Sequence, residues 1–414
     1  MAEPSVKILY LDMNSYFASV EQHEDPSLRG KPVGIVTTMN DGAACIAASY
    51  EAKAFGIRVG TRMREARQMC PGISFRAARH DAYVHYHHLI MQAIEKVIPI
   101  TAAHSVDEFS CMLSPKDQGL SQAMRIAEDA RESIYTDVGR ALRCSIGLGS
   151  SKLLAKIAGE LKKPDGLDWL LPEVMPDKIA HWKLTDLPGI SRRMNARLEA
   201  AGIHDIPALY AMSPHHARRV WRSVQGERFL RALHGEDIPD PVTKPHSLGH
   251  GQVLSPANRT ASGARLVTRR LLLKAATRLR RGRYFATSIH ISVKCAVNGR
   301  KAIGGRMSAT QDSFRILSVF HEFWTQLQIE KPLNVSVVLG GLVDVRSHTA
   351  DLFENRSSFG VMTDREKLCA LVDGLNQRYG SDTIIYGESP VELTAYTGAK
   401  IAFGRVPTTE EFRD

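Results

Sequence analysis

LYLDMNSYFASVE, residues 9–21, is the stretch on which the reading of this 414-residue chain turns. From Val6 to Asp12 the side chains are apolar almost without a break. A run lacking the alternation of a half-exposed strand belongs to a strand buried on both faces. It ends in a carboxylate, Asp12, and SYFASVEQ then starts a helix for which Ser15 offers a cap. The segment therefore carries an acid to the rim of a core.

Outward from it, GKPVGIVTT (30–38) and GAACIAASY (42–50) predict further strands, followed by a helix over 61–69 and a long helix over 81–97. HSVDEFSCML (104–113) and ALRCSIGLG (141–149) read as strands, with helices over 121–136 and 151–162. Residues 175–233 carry short helical patterns only. The stretch 236–246 holds three prolines and reads as a linker. Beyond it, strands over 286–297 and 333–345 alternate with helices over 262–281 and 312–329. The tail from about 346 is polar, with a helix near 363–378. The expected fold class is α/β and α+β, multidomain.

Net charge is +10, from 54 basic and 44 acidic residues, and its distribution says more than its size. Between Pro241 and Gln311 there is no Asp or Glu but there are fourteen Lys or Arg, densest in ARLVTRRLLLKAATRLRRGR (264–283). One-sided charge over such a length repels itself unless a polyanion neutralises it, which points to nucleic acid. Arg270, Arg278, Arg280, Arg281 and Lys294 are the candidate contacts. No apolar run approaches the roughly 20 residues of a membrane helix, and MAEPSVKILYLD does not read as a signal peptide, so a cytoplasmic, nucleoid-associated protein without membrane contact is expected. Six scattered cysteines with no C-x-x-C pair argue against a disulfide framework and a zinc knuckle. His80, His85, His87 and His88 lack partners at ligand spacing and read as an exposed helical face.

Asp12, at a strand end, and Asp107-Glu108 together supply three carboxylates, hard oxygen ligands of the kind that two-magnesium phosphoryl transfer requires. In a regular strand Asp107 and Glu108 would point to opposite faces. A shared site needs a hairpin or bulge beside the end of the first strand.

The surrounding residues resemble the Y-family DNA polymerases, the group containing bacterial DNA polymerase IV and the catalytic subunit of polymerase V. LYLDMNSYFASVE (9–21), GKPVGIV (30–36), AASYEAKAFGIRVG (47–60), HSVDE (104–108), CSIGLGSSKLLAKIAGELKKPDG (144–166) and LPGISRRMNARLEAAGI (187–203) keep the family's order and approximate spacing. The resemblance implies a right-handed polymerase. Its palm would span 1–20 and 78–170, its small fingers 21–77 and its helix-hairpin-helix-like thumb 171–235. After the 236–246 linker it implies an α+β little finger over 247–346 and a tail over 347–414. It implies low-fidelity, template-directed translesion synthesis from dNTPs on primer-template DNA by a monomer using two Mg2+ ions. Asp12, Asp107 and Glu108 would be catalytic metal ligands, with the Met13 carbonyl a main-chain ligand. Phe17 would be the steric gate against a ribose hydroxyl, with Tyr16 beneath the incoming sugar. Tyr50, Lys53 and Lys163 would hold the triphosphate.

Lys53 stands where many relatives have Arg, so a point charge replaces a bidentate grip and a weaker nucleotide clamp is expected. Asn14 occupies a position where an acid is frequent, and FSCM follows Glu108 in place of the usual alanine-aromatic-leucine-acid. Gly189 and Arg192, in LPGIS and the basic helix after it, would meet a DNA phosphate; Ser191 replaces a second glycine there. GLGSSK (147–152) lacks Walker spacing and reads as a strand-to-helix turn. TADLF (349–353) resembles a degenerate sliding-clamp motif, with Leu352 and Phe353 as anchors. Two other classes compete: a non-catalytic polymerase-like scaffold at the clamp, which would be expected to lose the three carboxylates, and a palm-fold nucleotidyl cyclase, which needs no thumb, gate or basic module.

Overall fold

The computed structural model describes residues 5–239, 244–348, 363–380, 383–388 and 406. The chain forms two compact units that divide at residue 240. In the first, the order is β1 (Ile8–Met13), α1 (Tyr16–Glu24), β2 (Val33–Val36), β3 (Cys45–Ala48), α2 (Tyr50–Ala54), α3 (Met63–Met69), β4 (Ser74–Ala77), α4 (His80–Glu95), β5 (Ala102–Ala103), β6 (Glu108–Met112), α5 (Leu120–Asp137), β7 (Cys144–Gly149), α6 (Lys152–Leu161) and β8 (Leu167–Leu170). Short helices α7 (Arg192–Glu199), α8 (Ile206–Tyr210), α9 (Pro214–Trp221) and α10 (Val224–Leu233) follow.

A five-stranded sheet, β5-β6-β1-β7-β8, has β1 at its centre, antiparallel to both β6 and β7. The central position explains the unbroken apolar run. Leu9, Leu11 and Met13 join a core with Tyr83, Ile90 and Ile94 of α4 and Ala123, Ala127 and Ile134 of α5. Ile8 and Tyr10 meet Ala155 of α6 on the other face. A second sheet, β3-β2-β4, closes over its own small core of Val36, Cys45, Ile57, Met63 and Phe75.

Helix α6 approaches β7 closely because Gly147 and Gly149 carry no side chain. A Cβ on Gly147 would lie 2.0 Å from the Ala155 carbonyl oxygen and 2.2 Å from the Gly159 nitrogen. Ser151 caps α6 by accepting from the Leu154 amide at 3.1 Å, so GLGSSK is a strand-to-helix turn.

Two local expectations fail. Ser15 does not cap α1 with its side chain: it takes a left-handed conformation (φ 49°), and its hydroxyl is buried without a hydrogen bond. Nor are the histidines one exposed face. His80 and His87 are buried, and His87 Nδ1 bonds the Val106 carbonyl at 2.8 Å while its ring stacks on Phe109. The long helix needs an inward face, and two of its four histidines fall on it.

The second unit comprises β9 (Ser247–Val253), α11 (Ala261–Arg281), β10 (Tyr284–Cys295), β11 (Arg300–Thr310), α12 (Ser313–Trp324), β12 (Pro332–Gly340), β13 (Val343–Asp344) and α13 (Asp364–Tyr379). Its antiparallel sheet runs β11-β10-β12-β9. Ile289, Ile291, Val293, Val335 and Val337 on one face pack with Leu272, Ala275, Leu279 and Phe320 of α11 and α12. The tail helix α13 belongs to this unit: Asp373 accepts from Arg280 and from Thr277 of α11. Among the described residues all six cysteines are free and buried, and no helix is long and apolar enough to cross a membrane.

Candidate active site

Side chains directly opposite on neighbouring strands share a face. Asp12 of β1 is paired in register with Glu108 of β6, so both carboxylates lie on the face covered by α6. Asp107 precedes β6, in the turn after β5, and its carbonyl accepts the Met13 amide at 2.9 Å. The pair Asp107-Glu108 thus straddles a hairpin end, the geometry two adjacent acids need to serve one place. Ser105 Oγ donates to the Asp107 carboxylate.

Helix α6 and the turn after it supply the opposing charge. Lys156, Glu160 and Lys163 follow i, i+4, i+7 spacing. Lys156 Nζ lies 2.5 Å from Glu108 Oε1 and 3.2 Å from the Tyr10 hydroxyl. Lys163 Nζ lies 2.9 Å from Asp12 Oδ1 and 2.6 Å from Glu160 Oε1. Burial pushes the Asp12 carboxyl up to about 7 despite Lys163, with Asp107 adding to the rise. Burial also raises Asp107, helped by the charge of Glu108. Burial works the same way on Glu108, but its bond to Lys156 wins and holds it below the usual range. Burial pulls Lys163 down, and Asp12 and Glu160 more than reverse this. Among the described residues no three acidic, His or Cys side chains converge as a ready cage for a metal ion. Two of the three acids are instead held by the lysine ammonium groups.

Of the expected nucleotide-side residues, Tyr50 and Lys53 lie near enough to Asp12, and Tyr16 to Asp107, to feel their charge. Lys53 Nζ sits 4.3 Å from the centroid of the Tyr50 ring. Its ammonium is held below the ordinary range by partial burial and by Lys163. Phe17 stacks on Tyr83 at 4.3 Å with the rings 12° from parallel. Tyr16, buried, donates from its hydroxyl to the Tyr83 carbonyl at 2.6 Å. Lys156 and Tyr83 are absent from the sequence reading. Neither carries a local signal, because the partners of each lie on other elements.

The impB/mucB/samB family matches residues 11–160, a span that includes all three carboxylates. The chain is 31% identical to the DNA polymerase IV of Moorella thermoacetica over 98% of its own length and 100% of the relative's. The chain belongs to the Y-family of DNA polymerases. It is 30% identical to the DNA polymerase IV of Pelotomaculum thermopropionicum over 91% of its length and 94% of the relative's. A solved Dbh–Dpo4 chimera of a Y-family DNA polymerase shares the fold with TM-score 0.69, at 18% identity over 82% of this chain and 99% of that one. As a member, this Y-family protein is a DNA-directed DNA polymerase.

The polymerase's candidate DNA residues divide sharply. Gly189 takes φ 92°, which its lack of Cβ permits, and Arg192 begins α7 exposed. On α11 the expectation is corrected for Arg280. Its side chain is only 6% exposed, doubly bonded to Asp373 at 2.6 and 2.9 Å, and it also donates to the Gln311 carbonyl at 2.7 Å. A guanidinium so engaged ties α11 to α13 and to the residues that lead into α12. Arg270 is half-buried, and Arg278 is turned to His250 Nε2 at 3.2 Å, which with burial lowers that histidine to about 4. Arg281 and Lys294 are exposed. The sheet face turned away from α11 and α12, which no described residue covers, carries Lys294 with Arg300 and Arg306, alongside Gly304, Gly249, Gly251 and Ser336. Leu352 and Phe353 lie outside the described residues.

Proposed function

We propose that this polymerase performs low-fidelity translesion synthesis by two-metal-ion nucleotidyl transfer from dNTPs to a primer 3′-hydroxyl. The observation that carries the reading is the cross-strand pairing of Asp12 with Glu108, with Asp107 at the adjoining hairpin end. Asp12, Asp107, Glu108 and the Met13 carbonyl would hold the ions. The donor set fits, since all are hard oxygens and the burial that raises Asp12 and Asp107 is relieved by a cation. Bound magnesium would supply the positive charge that favours an ionised primer hydroxyl and offsets charge on the triphosphate.

The chain's own residues bind and select. Lys163, Lys53 and Tyr50 donate to the triphosphate, stabilising charge that grows on its oxygens during transfer. Phe17, backed flat by Tyr83, refuses a ribose 2′-hydroxyl, and Tyr16 lies below the sugar. The small side chains of GAACIAAS press weakly on the nascent pair, so that distorted templates are tolerated. The five-stranded sheet with α4–α6 serves as palm, the three-stranded sheet as fingers, α7–α10 as thumb and the second unit as little finger. Its uncovered, acid-free sheet face takes the DNA backbone, and the 349–353 stretch docks on a sliding clamp.

Primer extension with magnesium and dNTPs on undamaged and abasic templates tests this, beside an Asp107→Ala, Glu108→Ala double variant. Extension on both templates by the parent and none by the variant is expected. A parent that binds primer-template yet adds nothing overturns the reading in favour of a scaffold.

A further inference from the structure

Asn14 is 2% exposed and makes four kinds of hydrogen bond. Its amide N–H donates to the Arg143 carbonyl at 2.8 Å, and its carbonyl accepts from Ser19 Oγ at 2.6 Å. Its side chain donates through Nδ2 to Ser145 Oγ at 3.0 Å and accepts through Oδ1 from the Asp165 amide at 2.6 Å. Asn14 stands two residues beyond Asp12, and Asp165 two residues beyond Lys163. One side-chain amide therefore ties the strand end that carries Asp12 to the turn that carries Lys163.

That turn is gripped on its other sides too. Asp165 takes φ 59°, its carboxylate accepts from the Tyr135 hydroxyl and its carbonyl from Arg131 Nη1 at 3.1 Å. The Gly166 carbonyl accepts the Ile146 amide at 2.9 Å. A Cβ on Gly166 would fall 2.2 Å from the Lys162 carbonyl oxygen. Of these contacts only Asn14 comes from the segment that follows directly on β1 and Asp12. What ties the turn to the strand end is the Oδ1 acceptor that faces the Asp165 amide.

We propose that Asn14 is a positioning residue that fixes Lys163 relative to Asp12 and so sets the grip on the incoming triphosphate. The inference rests on the reading of Lys163 as a triphosphate ligand. Asn14→Ser leaves a buried hydroxyl for Ser145 but is too short for Asp165, whereas Asn14→Asp keeps the acceptor.

Steady-state kinetics of N14S, N14D, K163A and N14S/K163A, each checked for folding by its melting curve, separate the possibilities. N14S is expected to raise the KM for dNTP about tenfold with kcat within about twofold. N14D should stay close to the parent, and N14S should add nothing to KM once Lys163 is alanine, because linked residues lose additivity. Additive effects of N14S and K163A, a loss confined to kcat, or an N14D as impaired as N14S would each overturn the proposal. A K163A with raised KM beside an N14S with parental KM overturns the positioning role alone. A K163A with parental KM overturns the reading of Lys163 itself, and this inference with it.

Discussion

Asp12 sits in a contest between burial and charge. Only 17% of its side chain is exposed, and with Lys163 2.9 Å away the carboxyl still rises from 3.8 to about 7. A folded-state value above the unfolded one means the folded chain binds the proton more tightly. The group's contribution to stability is thus fully present below the unfolded value and is lost as pH rises through about 7. A metal ion needs the ionised form and competes with that proton. At limiting magnesium, kcat/KM should therefore climb with pH through about 7, and raising magnesium should move the acid limb to lower pH. A pH profile at two magnesium concentrations checks this, and an acid limb indifferent to magnesium would sink it. The three carboxylates were legible in sequence because they stand in short, dense motifs. Lys156 was not, since a lysine on an amphipathic helix is ordinary until the partner strand is known. Asn14 was noticed only as a missing acid, because its partners Ser145 and Asp165 lie more than a hundred residues away.

At the scale of elements, the α6–β7 contact places two of the site's lysines. With a Cβ on Gly147 meeting backbone at 2.0 Å, no side-chain adjustment relieves the clash and the helix must move. Gly147→Ala should lower stability by about 2 kcal/mol, as overpacked cores do, and lower extension activity beyond the loss of folded protein. Chemical denaturation and primer extension on the same sample read both; an alanine variant with parental stability and activity would refute the close approach. The tail helix offers a second case. Removing Asp373 strands Arg280, whose side chain is almost wholly enclosed. Asp373→Ala should destabilise the second unit by about 3 kcal/mol, the range for breaking a buried pair, and a denaturation midpoint that does not fall would count against it. The α11–α13 pairing was not legible because Arg280 and Asp373 are 93 residues apart. Strands β9 and β11 went unread for another reason: SLGHGQV and RKAIGGRMSAT are rich in glycine and polar residues, the composition of loops.

For the whole molecule, the acid-free stretch offers two basic surfaces, helix α11 and the outer face of the sheet, and the expected residues are shared between them. Helix α11 holds the densest charge, yet Arg278 is turned to His250 of β9 and Arg280 to Asp373 of α13. Lys294, Arg300 and Arg306 stand on the opposite, uncovered face of β10 and β11, where Ser288 pairs with Arg306 and Lys294 with Arg300 across the ladder. If that face meets phosphates, each contact contributes about 0.9 to the slope of log affinity against log salt. A K294E/R300E/R306E variant should then bind primer-template more weakly with a slope lower by about 2 to 3, at unchanged melting temperature, since these side chains are exposed. Arg280→Ala should do the reverse, lowering the melting temperature while keeping the slope of the folded fraction. Fluorescence anisotropy across a salt series distinguishes the two. A slope that falls in R280A and holds in the triple variant would return the DNA face to the helix.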